Sequence, residues 1–212
     1  MSGSVTASAD GVAASLGSCS ACQAELSLPF LCEDCGELFR DPVGGLNAFQ
    51  RFGIKPSFEL DLRALEARHL QLSRRMHPDR LIGKDPRQQG RALTLSSALN
   101  EAYALLRDER RRAEHLVAVS GGKTADQDKR TPPTFLLEQL ELREEVESAQ
   151  ERGDEAALTK ARERTQAEQR ASRDAVAALF DDAGWPSEAL LDAARLQLNV
   201  WKYWITFGKE LA

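Results

Sequence analysis

Apolar residues recur along this chain at helical spacing rather than strand spacing. In "DLRALEARHLQLSRRM", residues 61–76, Leu62, Leu65, His69, Leu72 and Met76 follow one another at intervals of three or four and share one helix face. Asp61 stands where a side-chain oxygen can cap the first turn. In "RALTLSSALNEAYALLRDERRRAEHLV", residues 91–117, Ala92, Leu95, Leu99, Ala102 and Leu106 keep the same period. Two such stripes joined by a short loop predict an antiparallel helical hairpin. The first helix must end before Pro78, because proline disfavours the α conformation of the residue ahead of it. Upstream, Leu46, Phe49 and Phe52 form a short apolar turn after the glycine pair Gly44 and Gly45.

Residues 118–133, "AVSGGKTADQDKRTPP", are polar, carry two glycines and end in two prolines, which predicts a linker. Three more helices are expected beyond it, over about 134–150, 154–182 and 187–210, separated by Gly153 and by Gly184 with Pro186. The last carries Leu190, Ala194, Leu198, Trp201 and Ile205 on one face, with Tyr203, Trp204 and Phe207 nearby. No strand-like alternation of useful length and no internal repeat is evident. The fold class read from this pattern is mainly α.

The first of the C-terminal helices has two stripes. At about 100° per residue, Phe135, Leu142, Val146 and Ala149 cluster on one side. Leu137, Leu140, Glu141 and Glu144 cluster on the other, with Leu136 at its edge. One stripe suffices to pack a helix into a three-helix bundle. The second is either covered by the preceding domain or binds a partner.

Charge narrows the function classes. The formal net charge is −5 with Arg and Glu interspersed, whereas a general nucleic-acid binder carries a basic excess. No apolar run approaches the ~18 residues of a membrane span. No Lys or Arg precedes Arg40, so neither a secretory signal nor a mitochondrial presequence is supported, and a flexible tail over 1–18 in a cytoplasmic protein is expected.

The cysteines add a metal site. Cys19, Cys22, Cys32 and Cys35 form two CxxC pairs in "CSACQAELSLPFLCEDC". Thiolates three positions apart grip one metal from a tight knuckle, and two knuckles complete a tetrahedron. Gly36 follows the second pair, where such a knuckle favours a residue without Cβ. Structural Zn²⁺ is the expected ion, and iron would suit the same ligands. Two disulfides and a redox pair are the other readings. A cytosolic chain opposes the first, and the lack of a βαβ pattern opposes the second.

His77, Pro78 and Asp79 sit between the two helices of the hairpin, with Arg74, Arg75 and Arg80 beside them. As a catalyst, His77 lacks a recognisable partner set. His69 lies on an apolar face, His115 lies near the end of the next helix, and no Gly-rich phosphate loop, GxSxG or HExxH occurs. No enzymatic activity is expected. As a stiff polar tip with a basic approach face, the segment suits docking onto an acidic partner.

These residues carry a resemblance. "HPD" between a basic amphipathic helix and "LNEAYALLRD" resembles the J-domain of co-chaperones that stimulate ATP hydrolysis by DnaK-type chaperones. "RRAEHLV" and "TFLLEQLELREEVESA" are similar to the HscB family, the J-proteins of iron–sulfur cluster assembly, and a leading tetracysteine module is similar to its longer members. The resemblance covers about residues 19–212. It implies a tetracysteine module over 19–45, a J-domain over 46–117, the linker 118–133 and a C-terminal three-helix bundle over 134–212. It implies that His77, Pro78 and Asp79, with Arg74 and Arg75, engage a DnaK- or HscA-type chaperone. It implies that Leu136, Leu137, Leu140, Glu141 and Glu144, with Leu198 from the last helix, bind an IscU-type scaffold. The cysteine module is expected to stabilise the N-terminus or to assist self-association; a J-protein with other clients and a zinc or redox cysteine protein are the alternative readings. The family usually has an aromatic where this chain has His69.

Overall fold

The computed structural model describes residues 17–39, 45–77 and 86–212. The tail read over 1–18 therefore falls almost wholly outside the described residues, as do Gly44, Pro78, Asp79 and Arg80. Helices α1 (Ala48–Phe52), α2 (Leu62–Arg75), α3 (Pro86–Leu106), α4 (Glu109–Val119), α5 (Pro133–Arg152), α6 (Glu155–Asp181) and α7 (Glu188–Glu210) follow in chain order. Among the described residues, extended pairing is limited to two isolated antiparallel bridges in the cysteine segment, so the mainly α class holds.

The chain divides into two compact units. One comprises the described residues up to Lys55 with Leu65–Ala102. The other is Pro56–Ala64 with Tyr103–Ala212.

In the first unit, the expected stripes are buried. Leu65, Leu72 and Met76 of α2 and its end are buried, as are Ala92, Leu95 and Leu99 of α3. Phe49 and Phe52 of α1 join this core, with Leu28, Leu31 and Leu38 from the cysteine segment. At the start of α2, within the stretch Pro56–Ala64 of the other unit, Asp61 caps the helix by accepting from the backbone N–H groups of Arg63 and Ala64 at 2.9 and 3.0 Å. Asn47 and Gln50 close a reciprocal capping box on α1, and Gly53 ends it in the left-handed region at φ +66°. His69 is half-buried. Its Nε2 is 2.8 Å from Asn100 Oδ1, and its ring centroid is 6.4 Å from that of Phe52. The imidazole thus faces an aromatic ring of α1 while gaining a polar partner on α3.

In the second unit, α5, α6 and α7 form the expected three-helix bundle, close to the predicted bounds. Asp154 and Ser187 cap α6 and α7, and Pro133 opens α5 at a position where its missing N–H costs nothing. Phe135, Leu142, Val146 and Ala149 from α5 pack with Leu158 and Ala161 of α6 and Val200, Trp204 and Phe207 of α7. Helix α7 is buried more widely than one stripe predicts, because it packs against both α6 and α4.

Two polar devices complete this unit. Arg195 of α7 is 1 % exposed and forks onto Glu114 of α4. The segment before α5 is bound to α7 rather than running free. Arg130 joins Asp128 at 2.6 Å and Asp192 at 2.6 Å, and Asn199 Nδ2 donates to the carbonyls of Asp128 and Arg130. Proximity of the two arginine nitrogens, above all their hydrogen bonds, holds the Asp128 carboxyl below the usual carboxylate range.

Candidate functional site: a cysteine knuckle, the end of α2 and an exposed face of α5

The two CxxC segments have one local structure used twice. Gln23 N–H donates to the Cys19 carbonyl, and Gly36 N–H donates to the Cys32 carbonyl. Cys19 N–H donates to Ala24 O, and Cys32 N–H to Glu37 O. An antiparallel bridge encloses each turn, Ser18 with Glu25 and Leu31 with Leu38. Each turn ends in a left-handed residue, Gln23 at φ +65° and Gly36 at φ +76°. The glycine is where the sequence predicts it; its counterpart is a glutamine, which hides this repeat from inspection of the sequence.

The turns bring all four Sγ atoms within 4.8 Å of one another. Cys19 faces Cys35 and Cys22 faces Cys32, each pair at 3.6 Å. A disulfide would hold its sulfurs at about 2.05 Å, whereas a tetrahedral zinc with bonds of about 2.3 Å separates them by about 3.8 Å. The donor set therefore fits a metal ion. Backbone N–H groups, that of Cys35 first and that of Asp34 after it, lower the Cys32 thiol to about 7, towards the thiolate a metal requires. Ala21 N–H also donates to Cys19 Sγ at 3.4 Å.

A carboxylate within the second turn reaches out of it. Arg68 of α2 forks onto Glu33, with Nη1–Oε1 at 2.6 Å and Nη2–Oε2 at 2.9 Å, and Ser27 donates to the same carboxylate. These bonds, Arg68 foremost, lower the Glu33 carboxyl to about 2. Arg75 donates to the Glu33 carbonyl. From α3, Gln88 donates to Glu37 Oε1 at 2.7 Å, and Arg91 donates to the Leu38 carbonyl at 2.9 Å. Sequence reasoning missed Glu33, Arg68, Gln88 and Arg91. Only the acidic residue inside the CxxC hinted at them, because such long-range partners have no periodic signature.

The end of α2 presents Arg74 and His77, both exposed. Arg75 is half-buried and turned to the knuckle, so the two arginines differ in what they offer. The expectation for Pro78 and Asp79 lies outside the described residues.

On α5 the two predicted stripes separate as the helical period requires. Leu136, Leu137 and Leu140 are 57, 65 and 56 % exposed, and Glu141 and Glu144 are exposed beside them. Three large apolar side chains on one face, with carboxylates among them, make a ready contact surface. Leu198 stands apart. It is 0 % exposed, within the α7 core, and offers no surface alongside the other five. Its position on the apolar stripe of α7 puts it in the packing, which corrects the expectation for that residue.

Comparison with known proteins bears on both units. Residues 131–212 match a family model described as the HSCB C-terminal oligomerisation domain. The fold is similar to that of human co-chaperone protein HscB, at 22 % identity and a TM-score of 0.71 over 92 % of this chain and 96 % of that one. Chaperone HscB from Vibrio cholerae is 31 % identical, covering 78 % of this chain and 95 % of its own, with a TM-score of 0.63. With that identity across nearly the whole of a relative, and with the matched HSCB domain over residues 131–212, this chain belongs to the HscB family.

Proposed function

We propose that this chain is a J-type co-chaperone of iron–sulfur cluster assembly. It binds an IscU-type scaffold protein through α5 and delivers it to a DnaK- or HscA-type chaperone, whose ATPase it stimulates. The observation that carries the reading is the α5 face: Leu136, Leu137 and Leu140 stand exposed beside Glu141 and Glu144 in a chain of this family. A face of that kind gains most when covered, since fully burying a leucine is worth about 1.5–3 kcal/mol before binding costs are met.

The second hand of the mechanism is the end of α2. Exposed His77, followed in sequence by Pro78 and Asp79, with Arg74 beside it, is the proposed contact for the chaperone. The cationic helix end steers encounter with an acidic surface, and the proline stiffens the tripeptide. Hydrolysis then closes the chaperone on the delivered scaffold and the cluster passes to an acceptor. The four cysteines are proposed to hold structural Zn²⁺, which closes all four coordination positions with protein ligands and leaves none for catalysis. Self-association is a further proposed property, supported by the description of the matched domain.

Single-turnover ATP hydrolysis by the chaperone tests this, with scaffold present or absent. The expected result is stimulation that rises synergistically with scaffold and disappears in His77→Gln. Stimulation indifferent to scaffold would point to a J-protein with other clients. Full stimulation by His77→Gln would reject the assignment at the end of α2.

A further inference from the structure

The second cysteine turn touches both helix ends that flank residues 78–85. On the α2 side, the Glu33 carboxylate receives the fork of Arg68, and the Glu33 carbonyl receives Arg75, in the last turn. On the α3 side, Glu37 and the Leu38 carbonyl receive Gln88 and Arg91, in the first turns of the helix. The contacts come from one short run, Glu33 to Leu38, whose conformation is set by Cys32, Cys35 and the left-handed Gly36. Leu31 and Leu38 anchor that run in the apolar core, both fully buried. Gly53, after α1, closes against the side chain of Leu28 of the same segment, where a Cβ would lie 3.1 Å from Leu28 Cδ2.

A knuckle that only completed its own small fold would need none of these outward polar ties. A bidentate arginine–carboxylate pair fixes orientation as well as distance, because two parallel N–H···O bonds admit one relative geometry. Here that geometry is imposed on α2 at Arg68, about two and a half turns before His77. The tie to α3 fixes the other flank. Each bond alone is a modest, partly exposed interaction. Acting together on two helix ends, they restrict one local opening that would otherwise loosen both.

We propose that the second cysteine turn is a bracket, in which Glu33, Arg68, Gln88 and Arg91 are positioning residues that hold the end of α2 and the start of α3 for chaperone engagement. The proposal rests on the co-chaperone reading above. It makes metal loading of Cys32 and Cys35 a condition for full stimulation, acting through Glu33 rather than through any contact of the metal with the chaperone.

The test uses the full-length, metal-loaded chain. Glu33→Gln removes the carboxylate fork from inside the turn, and Arg91→Met removes the α3 tie from outside it. Elemental analysis and far-UV circular dichroism establish that each variant is loaded and folded; Arg68→Met stands in if Glu33→Gln loses metal. Amide hydrogen exchange is expected to rise about fivefold over residues 72–77 in Glu33→Gln, the response to losing an interaction of this class. Arg91→Met is expected to do the same over residues 90–95, the first amides of α3 with intrahelical acceptors, with exchange across α5 unchanged in both. The concentration of co-chaperone giving half-maximal ATPase stimulation is expected to rise by a similar factor, while the maximal rate and scaffold affinity are retained. Unchanged exchange and an unchanged half-maximal concentration in loaded variants would overturn the bracket and leave the co-chaperone reading standing. A lowered melting temperature without a change in half-maximal concentration would also overturn it, by showing the ties to be structural alone. Absence of stimulation by the unsubstituted chain would instead overturn the co-chaperone reading, and this inference with it.

Discussion

On α5, Leu137 is 65 % exposed while Leu142, on the same helix, is 1 % exposed. The two leucines differ only in where the helical period points them, and this yields opposite expectations. Leu142→Ala should cost about 2–5 kcal/mol of stability, through lost burial and the cavity left among Phe135, Val146 and the α7 aromatics. Leu137→Ala should change stability by less than about 0.5 kcal/mol. Replacing Leu136, Leu137 and Leu140 together should instead weaken scaffold binding by more than about 2 kcal/mol. Urea unfolding and isothermal titration calorimetry separate the two effects. A strongly destabilised Leu137→Ala would contradict the exposed face.

The fork of Arg195 onto Glu114 predicts an asymmetry between single and double replacement. Glu114→Ala leaves a guanidinium that is 1 % exposed without its carboxylate, and should cost about 3 kcal/mol. Replacing both partners with apolar residues, Glu114→Leu with Arg195→Met, should recover most of that loss, since no buried charge then remains. Equal losses in the single and double variants, measured by urea unfolding, would show that the charge is not the cause.

Metal removal should act on one unit. The tryptophans are Trp185, Trp201 and Trp204, all in the second unit, so their fluorescence reports only on that unit. Cys32→Ser should lower the bound metal from about one per chain to near zero. It should raise hydrogen exchange over residues 17–39 while leaving tryptophan emission in place. A shifted emission on chelation would mean that the knuckle supports more of the molecule than its own unit.

The clamp around Asp128 predicts a dependence on acid. Arg130 holds the folded-state carboxyl below its unfolded value of about 3.9. The stabilisation is therefore complete above about pH 5 and is lost as pH falls towards the folded-state value. The difference in melting temperature between the natural chain and Asp128→Asn should be constant from about pH 8 to about pH 5, and should shrink below about pH 4. A difference that grew on acidification would have the wrong sign for this carboxylate.

Much of this protein is legible without coordinates. Helical periodicity locates α2, α5, α6 and α7, because each has an apolar stripe that must be buried and boundary residues that end it, while α3 and α4 read as one stretch. The double stripe of α5 and the tetracysteine cluster are local patterns too, and both appear as read. Local rules hold where the deciding neighbours are close in sequence.

What the tertiary structure decides is the long-range pairing. Leu198 and Leu140 are both leucines on apolar stripes, yet one is 0 % exposed and the other 56 % exposed, because only the packing of α7 against two neighbours distinguishes them. Periodicity places Arg75 and Arg74 side by side at the end of α2. The second cysteine turn takes up Arg75 and leaves Arg74 exposed. The polar run 118–133 reads as a linker, yet Asp128 and Arg130 are bound to α7 by Asn199 and Asp192. Hydrogen bonds between residues far apart in the chain leave no period in the sequence, since one arginine or one carboxylate suffices for each. Their partners are settled only when folding brings the elements together.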